Sequence, residues 1–228
     1  MRVAALISGG KDSALALHRV LKAGYEVEFL VTILPQREDS WMFHYPNVHL
    51  TRLFAESVGI ELVSAETEGI KERELGDLKR ALATLDIEGV VFGAILSRYQ
   101  KARIDKICSE LNLKSIAPLW QENPIYLLRE IVRLKFDVLV VGVSAYGLDE
   151  TWLGRKIDSE TVADLIRLND RYQISVMGEG GEYETLVLDA PFFKKRIELV
   201  QTKNVWKDGS GYMSVEEAKL TDKAEKVY

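Results

Sequence analysis

The first 120 residues alternate short apolar runs with segments of helical period, and this alternation constrains the fold more than any other feature. Val3–Ile7 is apolar without polar alternation, as expected of a parallel strand buried on both faces. Ala14, Leu17, Val20 and Leu21 then share a helix face, and Gly24 stops that helix. The cycle repeats. Val27–Leu34 reads as a strand ended by Pro35, and Leu50, Leu53, Phe54 and Val58 mark a helix closed by Gly59. Ile60–Ser64, Gly89–Ile95 and Ser115–Leu119 read as further strands. Leu75, Leu78, Leu82 and Leu85 mark one intervening helix, and Ile104, Ile107, Cys108 and Leu111 another. The pattern predicts an α/β fold with a doubly wound, five-stranded parallel sheet and right-handed crossovers. In such sheets ligands bind beyond the carboxyl ends of the strands.

The alternation changes near Asn123, and the sequence predicts two domains, 1–122 and a smaller α+β domain over 123–228. In the second, Leu128, Ile131 and Val132 mark a helix, Asp137–Val143 a strong strand, and Val162, Leu165 and Ile166 another helix. Gly147-Leu148-Asp149 and Asp208-Gly209-Ser210-Gly211 read as turns, with strands at Thr185–Leu188 and Arg196–Thr202. Gln36–Asn47, with Trp41, Phe43, His44 and Tyr45, has no period and reads as a loop.

The first strand feeds directly into Ser8-Gly9-Gly10-Lys11-Asp12-Ser13, and a helix follows. Backbone N–H groups at a helix start form an anion site aided by the helix dipole. Glycines let the backbone approach phosphate, Ser8 and Ser13 add hydroxyls, and Lys11 adds positive charge. Asp12 fits such a site if it holds a metal ion bridging phosphate oxygens, or if it caps the helix. The spacing matches neither the Walker loop nor the dinucleotide fingerprint. S-G-G-x-D-S instead resembles the PP-loop of the N-type ATP pyrophosphatases, a group that includes GMP synthetase, asparagine synthetase and tRNA-modifying enzymes. That resemblance implies cleavage of ATP between the α and β phosphates, with Lys11 and Mg²⁺ stabilising the departing pyrophosphate.

Two further segments stand out. Gly93-Ala94-Ile95-Leu96-Ser97-Arg98-Tyr99-Gln100-Lys101-Ala102-Arg103 follows the fourth strand; Gly93 permits close approach, Ser97 can cap the next helix, and Arg103 is the strongest cation candidate. Gly178-Glu179-Gly180-Gly181-Glu182-Tyr183-Glu184-Thr185 interleaves three glycines with three glutamates around one tyrosine. It reads equally as an acidic hairpin turn or as a site that receives a cation.

Together with Pro118-Leu119-Trp120, these segments resemble the diphthine–ammonia ligase family over nearly the whole chain, in the short form of its archaeal members. The resemblance implies ATP-dependent amidation of diphthine on translation elongation factor 2, through an acyl-adenylate and then ammonia, releasing AMP and pyrophosphate. It implies Lys11, Asp12 and Arg103 as catalytic residues and Asp12 as the metal ligand. ATP contacts are expected at Ser8, Gly9, Gly10, Lys11, Asp12, Ser13, Thr32, His44, Gly93, Ile95 and Ser97. Substrate contacts are expected at Tyr99, Trp120, Glu179, Glu182, Tyr183 and Glu184, the acids and aromatics receiving the trimethylammonium group or ammonium. The alternatives are a PP-loop ligase acting on another small-molecule or tRNA substrate, and a nucleotide-sensing module without turnover.

Composition limits the partners. Lys and Arg total 30 against 35 Asp and Glu, a net charge of −5, so no overall basic footprint for tight nucleic-acid binding exists. A single cysteine, Cys108, excludes an intrachain disulfide and a multi-cysteine metal site, and its helical spacing predicts a core position. His18 and His49 are expected at the surface. No apolar stretch approaches the roughly 20 residues of a membrane helix, and the start shows no signal-peptide layout. A cytoplasmic protein is expected; a homodimer is the assembly left open.

Overall fold

A computed structural model describes residues 1–35, 47–67 and 73–223; Trp41, Phe43, His44 and Tyr45 lie outside the described residues. Five strands, β1 (Arg2–Leu6), β2 (Glu26–Pro35), β3 (Glu61–Thr67), β4 (Gly89–Val91) and β5 (Lys114–Ile116), form one parallel sheet in the order β3-β2-β1-β4-β5. The order reverses at β1, whose neighbours are β2 and β4, so a crevice opens at the carboxyl end of β1.

Side chains alternate across this sheet. Val3, Ala5, Leu30 and Val91 enter one core with helices α1 (Lys11–Lys22) and α2 (Thr51–Val58). Ala4, Val31, Ile33 and Val90 enter a second core with α3 (Arg73–Ala83) and α4 (Arg98–Glu110). Helices on both faces explain why the strands read as apolar runs. Gly24 follows α1 at φ +80°, and Gly59 caps α2 at φ +76°, both in the left-handed region expected of a helix stop.

The second half builds α5 (Pro124–Arg133), β6 (Asp137–Val143), α6 (Ser159–Tyr172), β7 (Tyr183–Asp189), β8 (Lys195–Lys207) and β9 (Ser210–Asp222). Asn123 caps α5, with Pro124 in its first turn. The four strands form an antiparallel sheet in the order β7-β6-β9-β8. The sequence reading places a turn at Asp208–Gly211 and no strand after it, whereas β9 begins at Ser210. Asp208 (φ +52°) and Gly209 (φ +81°) form a two-residue hairpin turn of the type that matches strand twist.

The first core continues into this sheet. Val138, Val140, Leu186 and Val187 belong to the same cluster as Leu15, Leu17 and Phe54. The antiparallel sheet therefore covers the α1 and α2 face of the parallel one, and a buried leucine there contributes roughly 1.5–3 kcal/mol.

His18 departs from expectation. It is buried rather than on the surface, with its ring 5.8 Å from the rings of both Phe136 and Phe192. His49 is exposed and Cys108 is buried, as expected. Burial pushes the Cys108 thiol up to about 11, so it stays protonated at neutral pH.

Candidate functional site

The loop between β1 and α1 is held from both sheets. Its turn needs Gly9 at φ +84°, a conformation that costs glycine nothing. The Gly9 carbonyl accepts from Val187 N of β7 at 2.9 Å, and Lys11 N donates to Thr185 Oγ1 at 3.1 Å. Ser13 Oγ donates to the Gly10 carbonyl at 3.0 Å and lies 3.3 Å from Ser8 Oγ. Gly10 is the N-cap of α1 with no side-chain cap, so Asp12 stands within the first turn rather than capping the helix.

Lys11 is buried. Its Nζ donates to the Met177 carbonyl at 2.5 Å, lies 3.2 Å from Asp12 Oδ2, and sits 4.8 Å from the centre of the Tyr183 ring. Burial opposes the charge, but the Asp12 carboxylate, by its charge and its hydrogen bond, outweighs it and raises the ammonium to about 12. Tyr183 is itself buried, its hydroxyl donating to the Val176 carbonyl at 2.6 Å. Burial pushes that phenol up to about 12, so it is a neutral donor at neutral pH.

The segment after β4 lies against the same loop. A Cβ on Gly93 would sit 2.7 Å from the Asp12 carbonyl carbon and 2.8 Å from Ser13 N, so only glycine fits. What Gly93 admits is thus the backbone at the head of α1. Ser97 caps α4, accepting from Gln100 N at 3.3 Å, as its position predicted.

Most of the acid–glycine segment is committed internally. The Glu179 carboxylate accepts from three consecutive backbone amides, Ile95 N at 2.8 Å, Leu96 N at 2.8 Å and Ser97 N at 3.1 Å. Glu182 accepts from Ser175 N at 2.8 Å and Gly180 N at 2.9 Å. These acids order a turn and join the two halves of the chain.

These elements enclose a cleft of about 570 Å³ at the carboxyl ends of β1, β2 and β4. Of the residues expected to bind ATP, Ser8, Gly10, Lys11, Asp12, Ser13, Thr32, Gly93 and Ser97 line it; Gly9 and Ile95 do not, and both are buried. Tyr99, Glu179, Tyr183 and Glu184 also line it, whereas Glu182 and Trp120 do not. Trp120 carries Lys101 Nζ 5.5 Å from its ring centre. Arg103 is outside the lining too: its guanidinium lies on the Tyr99 ring, 3.5 Å from the centre.

Sequence reading missed the apolar wall, which includes Val31, Ile33, Leu78 and Phe92, because core and cleft residues look alike in periodicity. Thr32 Oγ1 is buried in this wall with no hydrogen-bond partner among the described residues, and so fits a ligand polar group. The cleft thus combines an apolar wall, an orphan hydroxyl, a helix N-terminus and a buried cation, which suits a nucleotide. Among the described residues no group of three His, Cys, Asp or Glu is placed to hold a metal, and no helix is long and apolar enough to cross a membrane.

The fold is α/β with a cleft that suits a nucleotide, and the proteins this chain resembles place it among the ligases. The diphthamide synthase N-terminal domain model matches residues 1–115, the corresponding C-terminal domain model matches 123–221, and the chain belongs to that family. It is 39% identical to a diphthine–ammonia ligase of Rattus norvegicus, over 86% of this chain and 82% of the relative. It is 37% identical to that of Homo sapiens over the same shares. A Schizosaccharomyces pombe diphthine–ammonia ligase is 36% identical over 99% of this chain and 40% of its own length. Among solved structures, a predicted subunit of tRNA methyltransferase from Methanocaldococcus jannaschii aligns with a TM-score of 0.45 and 17% identity, over 84% of this chain and 98% of that one.

Proposed function

We propose that this ligase amidates diphthine on translation elongation factor 2, in the cytoplasm, through an acyl-adenylate that ammonia converts to diphthamide with release of AMP and pyrophosphate. The single observation that carries the reading is the buried Lys11 ammonium at the N-terminus of α1, inside a cleft with an apolar wall. The curated relatives' shared name supports the choice of acceptor.

In this reading ATP occupies the cleft with its base toward Val31, Thr32 and Phe92 and its phosphates at Ser8–Ser13. Lys11 and the amides at the head of α1 hold negative charge as pyrophosphate departs. Asp12 is the carboxylate that would hold Mg²⁺, which would neutralise phosphate charge there. Tyr99, stacked with Arg103, faces the cleft from α4. Glu184 lines the cleft from β7 and is the acid we assign to the cationic side of the acceptor. The phosphate loop and the apolar wall fall in 1–122, while 123–228 supplies Glu184 for the acceptor and also holds the phosphate loop through Met177, Tyr183 and Thr185.

The test is ATP–pyrophosphate exchange with and without the diphthine-bearing factor. The expected outcome is exchange that requires that factor. Exchange supported by tRNA alone, or none under any condition, contradicts the reading.

A further inference from the structure

The acid–glycine segment carries an aromatic ring whose face is already taken. We infer that Tyr183 is a positioning residue for Lys11: its ring, with the Met177 carbonyl, fixes the ammonium that faces the phosphates. The inference rests on the ATP reading of the cleft. It assigns the one buried aromatic of that segment to the nucleotide rather than to the acceptor's trimethylammonium group.

The geometry is specific. Tyr183 is only 2% exposed, and its hydroxyl donates to the Val176 carbonyl at 2.6 Å, which fixes the ring plane. The Lys11 Nζ lies 4.8 Å from the ring centre, within the range of a cation–π contact. One residue beyond Val176, the Met177 carbonyl accepts from the same Nζ at 2.5 Å. The short segment before β7 therefore anchors the ring and supplies a ligand to the cation. An ammonium has three donors. Met177 and Asp12 Oδ2 engage two of them beside the Tyr183 ring.

A lysine side chain otherwise has a flexible four-carbon stem and no fixed direction. Holding it in place before ATP arrives removes an ordering cost from binding. The backbone of the loop is tied to the same strand, through Lys11 N to Thr185 Oγ1 and Val187 N to the Gly9 carbonyl. Strand β7 and the residues before it thus set both the main chain and the side chain of Lys11.

The experiment is an equilibrium titration of MgATP into the full chain, in a double-mutant cycle with Lys11→Met. At position 183 the tyrosine is replaced by leucine, by phenylalanine, and by phenylalanines of increasing fluorination, which keep the ring's size while weakening its face. With Lys11 present, Tyr183→Leu should weaken ATP about 10-fold and Tyr183→Phe by less than about 3-fold. Affinity should fall stepwise with fluorination, and in the Lys11→Met background these differences should shrink to about 2-fold or less. Equal losses in both backgrounds, or no trend with fluorination, would overturn the inference. The fluorinated series decides the matter if the leucine variant fails to fold. Wild-type chain that binds no ATP would instead overturn the ATP reading on which it rests.

Discussion

Glu179 shows how much one side chain can do at a junction. Its carboxylate takes three successive amides, at Ile95, Leu96 and Ser97, and so ties the turn before β7 to the segment after β4. Charge-assisted hydrogen bonds of this kind are about twice as strong as neutral ones. Glu179→Ala should cost about 1–3 kcal/mol and lower Tm by about 2–12 °C, with Glu179→Gln losing less; thermal unfolding of the three proteins checks this. His18 offers a second case. Burial, then the Lys22 and Arg19 cations, hold its pKa below the ordinary value against the opposing pull of Glu130. A histidine with a depressed folded pKa binds fewer protons folded than unfolded, so stability is kept above the unfolded pKa and lost as pH falls through that value. Wild type should therefore lose more Tm between about pH 7.5 and about pH 5.5 than His18→Phe does. Equal losses would assign the acid sensitivity elsewhere.

Among the elements, β4 matters most because it ends early. Sequence reading extended it to Ile95, whereas the strand stops at Val91 and the chain turns against the head of α1. Gly93 stands at that close approach. Its missing Cβ leaves room for the Asp12–Ser13 backbone, and backbone cannot yield as a side chain does. Gly93→Ala should destabilise the protein by about 1–3 kcal/mol and weaken ATP binding by moving the start of α1; denaturant titration and ATP titration measure the two effects separately. Elements defined by local period were legible in the sequence: α1, α2 and the buried parallel strands all carry the expected pattern. Strand β9 was not, because much of it is half-exposed and its pairing with β8 is set by a turn rather than by apolar alternation. Asn47 was equally silent. It is buried and clamps β9 with both ends of its amide, donating to the Met213 carbonyl at 2.8 Å and accepting from Val215 N at 2.9 Å. Nothing in its sequence neighbourhood signals a partner that far along the chain. The place of the glycine loop, between β1 and α1, was legible because its signal is local. The role of Glu179 was not, since its amide partners lie 82 to 84 residues away, and those of Glu182 and Tyr183 were not, since their backbone partners sit in an irregular turn that no period marks.

At the scale of the whole molecule, the two sheets share one core. Helix α1 lies between them, with Leu15 and Leu17 fully buried and Lys11 reaching the segment before β7. Arg19 adds a tie on the same helix, donating to the Pro118 carbonyl at 2.9 Å and pairing with Glu130 of α5 at 2.6 Å. Residues 1–122 alone would expose the α1 and α2 face that the antiparallel sheet covers. The intact chain should therefore unfold in one calorimetric transition whose van't Hoff and calorimetric enthalpies agree, and saturating ATP, at about 100 times Kd, should stabilise that single transition by about 2.7 kcal/mol. Two separable transitions, only one of them moved by ATP, would mean that the halves are independent. The most direct measurement of function is AMP release, followed together with mass spectrometry of the elongation factor. The expected result is AMP formed only when ammonium and the diphthine-bearing factor are both present, with one acid converted to an amide per AMP. AMP formed without the factor, or with no amide gained, would contradict the assignment of this cleft to diphthine amidation.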